Sequence, residues 1–152
     1  MIKEYRNFLQ FIQARTPELN NITIEIVEGE QFSMSKVSDY FVIDTINNID
    51  CIVDVFTSMY FENRISTELY LVKRNFNNFL AILHEVGHIV TRNLTNDNEV
   101  NEAYNNFKET NNNDYESFTT YRKLTNEVLA DNFAVEFINK YEAELIEYFK
   151  SC

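Results

Sequence analysis

The chain predicts an α+β fold: a small β-sheet with an N-terminal helix and two central helices. Three features carry that expectation. Apolar residues recur at helical spacing at the start, alternation and β-branched runs fill the next part, and helical spacing returns in two stretches beyond residue 75. The 152 residues, 45% hydrophobic with 13 Phe and 9 Tyr, supply a core without disulfide staples and fit one domain over 1–152.

Ile2, Tyr5, Leu9 and Ile12, backed by Phe8 and Phe11, predict a first helix of about three turns. Thr16-Pro17 stops it, because proline pushes its predecessor away from helical backbone angles. Ile22 to Val27 alternates with period two, and Tyr40–Ile43, Cys51–Phe56 and Ile65–Val72 are rich in β-branched and aromatic residues. They predict three or four strands, with turns at Glu28-Gly29-Glu30 and Asn47-Asn48.

From Asn75, a candidate N-cap, the residues Phe76, Phe79, Leu80, Leu83, Gly87 and Val90 form one helical stripe. A glycine inside a helix costs roughly 0.5–1 kcal/mol against alanine, so Gly87 predicts a close backbone approach. The Asn-rich stretch from Asn96 to Asp114 reads as a flexible or lid-like connection, although Val100, Tyr104 and Phe107 can form one face of a short helix. Asn113 with Glu116 resembles a capping box and predicts a long helix through Leu124, Val128, Val135 and Ile138.

Met1-Ile2-Lys3-Glu4-Tyr5-Arg6 lacks the features of a signal peptide, and no apolar run approaches membrane-spanning length, so a cytoplasmic location is expected. Cys51 reads as a buried free thiol, and Cys152 is poorly placed for a bridge; both should be reduced. A net charge of −11 opposes direct binding to nucleic acid or anionic membrane and favours basic partners.

The chemistry concentrates in His84-Glu85-Val86-Gly87-His88, an H-E-x-x-H pattern on the predicted helix. A spacing of four residues is slightly more than one turn of about 3.6, so both imidazoles project from one face towards a single cation. Glu85, one position round the helix, can stand beside a water at the metal and act as general base. Zinc suits such ligands, and a catalytic site needs three of them. The alternative is two histidines forming a polar edge of the core. Against it, these are the only histidines in the chain, and Leu83, Val86, Ile89 and Val90 surround them.

Glu127 and Asp131 share a helical face with Leu124, Ala130, Ala134 and Ile138, so two acids interrupt an apolar stripe. Buried acids are costly unless paired or metal-bound. Glu127 as the third zinc ligand, and Asp131 on the outer nitrogen of a ligand histidine, would satisfy both. The competing reading is an exposed acid pair like Glu136, Glu142, Glu144 and Glu147.

H-E-x-G-H followed by E-x-x-A-[ND]-x-F-A, matched by His84 to His88 and by Glu127, Ala130, Asp131, Phe133 and Ala134, resembles the ImmA/IrrE family of small zinc metallopeptidases. Asn126 to Asp131 also resembles the N-E-x-x-[SA]-D pattern of thermolysin-like gluzincins. The resemblance spans roughly Ile65 through Ile138, including the strand expected before the metal-binding helix. It implies Glu85 as general base, Glu127 as third ligand and Asp131 as support for a ligand histidine. It further implies limited proteolysis of one or a few intracellular regulatory proteins, such as a basic DNA-binding repressor. Two other classes stay open: a metal-dependent sensor or interaction protein that does not cleave, and a protein whose histidines pack without metal. Tyr104, Tyr115, Tyr121 and Arg122, between the two metal-binding segments, include the candidates for an oxyanion donor, with none singled out.

Overall fold

A computed structural model describes residues 1–46, 51–108 and 114–152, with the side chains of 51–54 and 108 outside the description. The amphipathic start forms helix α1, Ile2–Gln13, which buries Tyr5, Phe8, Leu9 and Ile12. A short 3₁₀ turn at Pro17–Leu19 follows. Strands β1 (Ile24–Glu28), β2 (Ser33–Val37) and β3 (Tyr40–Thr45) then make a sheet of order β1-β3-β2. β3 pairs parallel with β1, Ile26 opposite Ile43, and antiparallel with β2, Met34 opposite Ile43. Ser38, at φ 58°, takes the left-handed turn of the β2–β3 hairpin.

The rest is helical: α2 (Cys51–Phe61), α3 (Thr67–Val72), α4 (Phe76–Val90), α5 (Asp97–Lys108), α6 (Tyr115–Arg122), α7 (Thr125–Lys140) and α8 (Glu142–Lys150). The α+β class is as expected, with the boundary between its halves moved. Cys51–Phe56, expected as a strand, lies in α2, and most of Ile65–Val72, also expected as a strand, is α3. Short apolar runs suit a buried helix as well as a strand. Ser66 decides the second case, its Oγ accepting from the Glu68 amide as a helix N-cap. The strand that was not foreseen, β2, is the polar Ser-Met-Ser-Lys-Val run on the sheet edge, where burial imposes no alternation. The Asn47-Asn48 turn, the burial of the Cys51 thiol and the Asn113 cap fall outside the described residues.

Helix α4 is the axis of the molecule. Asn75 occupies its N-cap in a left-handed conformation, φ 63°, without a side-chain cap bond. The helix is buried on nearly all sides rather than along one stripe, because α1, α2, α7 and the sheet all pack on it. Phe8 of α1, Phe79 of α4 and Phe149 of α8 meet with centroids 5.1 to 5.6 Å apart. Asn78 of α4 donates to the Tyr5 hydroxyl at 2.8 Å, which donates to the Ile46 carbonyl at 2.9 Å, locking α1 against the end of β3.

The expected close approach at Gly87 is real. A Cβ built there would lie 2.7 Å from the Ala130 carbonyl oxygen and 2.9 Å from its Cα, so the backbones of α4 and α7 touch. The expected long helix is broken: α6 ends at Arg122, Leu124 is extended (φ −58°, ψ 137°), and α7 restarts at Thr125. Asp114 caps α6, accepting from the Ser117 amide at 2.8 Å. Val128, one of the residues through which the long helix was expected to run, faces outward at 37% exposure, and the inner face of α7 is Glu127, Ala130, Asp131, Ala134, Phe137 and Ile138. The stretch expected to be a lid-like connection is helix α5 as far as Lys108. Among the described residues, no helix is long and apolar enough to cross a membrane.

Candidate metal centre

The Gly87–Ala130 contact sets α4 against α7 so that His84 and His88, one turn apart, face Glu127. His84 Nε2 lies 2.7 Å from Glu127 Oε2, His88 Nε2 lies 3.4 Å from the same oxygen, and the two Nε2 atoms are 3.1 Å apart. Neither carboxylate contact has hydrogen-bond geometry, so Oε2, fully buried, has no hydrogen-bond partner. A buried carboxylate oxygen without a donor is expensive. Three electron-rich atoms within 4.8 Å of one another, one of them orphaned, form a group that could hold a metal ion. Two imidazoles and a carboxylate are a donor set that suits zinc.

The outer side of His84 is fixed as well. Its Nδ1 lies 2.7 Å from Asp131 Oδ1, so a neutral ring donates from Nδ1 and presents a lone pair at Nε2 towards Glu127. Arg122 Nη2 donates to the same Asp131 oxygen. Nine residues apart, Arg122 and Asp131 would sit on opposite faces of a continuous helix, about 13.5 Å apart along its axis. The break at Lys123–Leu124 is what brings them together. The Arg122 guanidinium also lies 5.7 Å from the ring centres of Tyr60, Phe61 and Phe118, within cation–π range.

Glu127 Oε1 is treated differently from Oε2. The Tyr104 hydroxyl of α5 and the Tyr121 hydroxyl of α6 both donate to it, the latter at 2.8 Å, and Asn126 Nδ2 donates to the Tyr104 oxygen at 2.7 Å. Burial and the neighbouring carboxylate push the Tyr104 phenol up to about 12 and Tyr121 higher still, so both are proton donors at neutral pH.

Without a metal ion, burial disfavours charge on His84, but the carboxylates of Asp131 and Glu127 outweigh it and raise its pKa to about 9. Burial likewise opposes charge on Glu127, and the two imidazoles draw its pKa well below the carboxylate range. Glu85 is not part of the converging group. It is 8% exposed, its pKa is raised chiefly by burial, and it lines both cavities beside the histidines. One cavity, about 360 Å³, is walled by Phe32, Ile46, Leu80, Ala81 and Phe118. The other, about 630 Å³, is more polar and reaches Lys36 of β2 and Asp97 and Tyr104 of α5. Gln31, Phe32, Glu85 and Tyr121 border both, so the two cavities flank the histidine face.

Of the residues singled out in the sequence, His84, His88 and Glu127 converge, Asp131 lies against His84, and Glu85 lines the cavities beside them. Of the four residues considered as oxyanion donors, Tyr104, Tyr121 and Arg122 reach the cluster, while Tyr115 packs on Phe56 and Phe118. Asn126, quoted in the sequence only as part of the N-E-x-x-[SA]-D pattern and given no role there, reaches the cluster through Tyr104. Comparison of the chain with models of protein families, with curated proteins and with solved structures finds no match.

Proposed function

We propose that this protein is a zinc-dependent endopeptidase, with His84, His88 and Glu127 holding the metal and Glu85 as general base. The observation that carries this reading is the convergence of two imidazole lone pairs on a buried carboxylate oxygen that has no hydrogen-bond partner, with a second buried carboxyl beside them in a cleft. The chemistry a zinc ion supplies when held there is Lewis acidity, which polarises a carbonyl and lowers the pKa of water towards about 7. Glu85 takes the proton of the attacking water and delivers it to the leaving amine. Asp131 keeps His84 in the tautomer with a free Nε2, and Arg122, donating to the same Asp131 oxygen, holds Asp131 in place. The apolar walls of the smaller cavity hold substrate and exclude bulk water.

The substrate in this reading is a basic intracellular protein such as a DNA-binding regulator. The charge of −11 supports it by steering a cationic partner, an effect that fades as salt rises. The deciding experiment measures zinc content and cleavage of basic DNA-binding proteins by wild type and Glu85→Gln. One zinc per chain in both, with cleavage lost by about 10²-fold or more in the variant, is the expected result. Zinc without turnover on any substrate would favour a metal-dependent sensor. No zinc at all would return the histidines to packing. Cleavage indifferent to salt would remove the electrostatic argument while leaving the peptidase intact.

A further inference from the structure

We propose that Tyr104 and Tyr121 are positioning residues of the metal centre: by both donating to Glu127 Oε1, they restrain that oxygen and present Oε2 alone to the cation. The inference rests on the metal-site reading above. It starts from an asymmetry within one side chain. Glu127 is 1% exposed, Oε1 receives two phenolic protons, and Oε2 faces only the ring nitrogens of His84 and His88, 2.7 and 3.4 Å away. An ionised carboxylate offers about four acceptor sites over its two oxygens. An acid buried for structure alone gains most by spreading its donors over both oxygens. Here both phenols fall on the oxygen turned away from the imidazoles, and the imidazole nitrogens alone face the other.

The two phenols come from separate helices, 23 and 6 residues from Glu127 in the chain, so no local turn forces the coincidence. Asn126 donates to the Tyr104 oxygen, which turns that hydroxyl's proton towards Glu127. Helix α5, part of a polar segment that reads in sequence as a solvated connection, is thereby a component of the metal centre. With Oε1 released, the carboxylate is free to rotate and bring both oxygens to the metal, adding a ligand where water would bind. Hydrogen bonding to a metal-binding carboxylate commonly changes affinity by about 10–100-fold.

The test uses the full chain loaded with Co(II), whose visible absorption is strong in four-coordinate and weaker in five-coordinate sites, and reads no enzymatic activity. Tyr104→Phe, Tyr121→Phe and the double variant keep the rings and remove the hydroxyls. Tyr141→Phe is the control, its hydroxyl donating to the Arg15 carbonyl at the far end of α7. The expected result is a weaker Co(II) band and an affinity reduced about tenfold in each single variant, with a larger change in the double variant and none in the control. Asn126→Ala, which leaves both phenols in place, should shift the spectrum in the same direction by less. It also serves if a Tyr→Phe variant fails to fold. Wild-type band and affinity in the folded double variant, or in Asn126→Ala should the double variant not fold, would overturn the positioning role alone. Failure of the wild-type chain to bind Co(II) or zinc would overturn it together with the metal site.

Discussion

Asp131 is joined both to the His84 ring and to Arg122, and its contribution is separable from that of the metal-facing atoms. Asp131→Ala should weaken zinc binding by about 10–100-fold, as measured by competition with a chelator, while Glu127→Ala should abolish a three-ligand site. Protons compete for the same place. In the metal-free chain His84 has a pKa near 9 against an ordinary 6.5, so its charged form adds stability that is complete below 6.5 and lost as pH rises through about 9. Denaturant unfolding in the presence of a chelator should therefore show the metal-free protein weakening across that interval. Zinc affinity should climb over the same interval, because His84 must lose its proton to bind. His84, His88, Glu127 and Asp131 were legible in the sequence because polar groups on apolar faces need partners, and their spacing admits few. Tyr104 and Tyr121 were not, since a tyrosine serves core, surface or site equally well and the helix break that aims Tyr121 leaves no strong local signal.

Between elements, the decisive contact is that of α4 with α7. Gly87→Ala places a methyl group against the Ala130 carbonyl and Cα, neither of which can rotate away. Overpacking of this kind costs about 1–3 kcal/mol. The expected outcome is a lower denaturant midpoint at unchanged slope, together with a loss of zinc affinity that substitutions on the outer face of α7, such as Val128→Ala, do not share. Gly87 announced this contact in the sequence because a glycine inside a helix otherwise has only a cost. Elements whose identity depends on distant neighbours were less legible. Cys51–Phe56 has strand-like composition, yet α2 packs as a helix on α4 and α6. β2 has no apolar alternation because, as an edge strand, none of its residues is fully buried and most are exposed on either face. Ser66 did carry a usable helix signal for α3, outweighed in the sequence by the β-branched and aromatic residues around it.

At the scale of the whole molecule, the centre gathers four ionisable side chains, His84, Glu85, Glu127 and Asp131, into the packed interior. Zinc that binds only the folded chain should raise its stability by about 2.7 kcal/mol at a free concentration one hundred times Kd. Thermal unfolding should shift upward with added zinc and return on chelation; a Tm indifferent to zinc would count against the site. The α4–α7 crossing also has a genetic consequence. The atoms that exclude a side chain at position 87 belong to the backbone of residue 130, so no exchange of the Ala130 side chain makes room, Ala130→Gly included. A selection for restored function from Gly87→Ala should therefore return true revertants or scattered changes that move one helix as a unit, and no compensating partner at position 130.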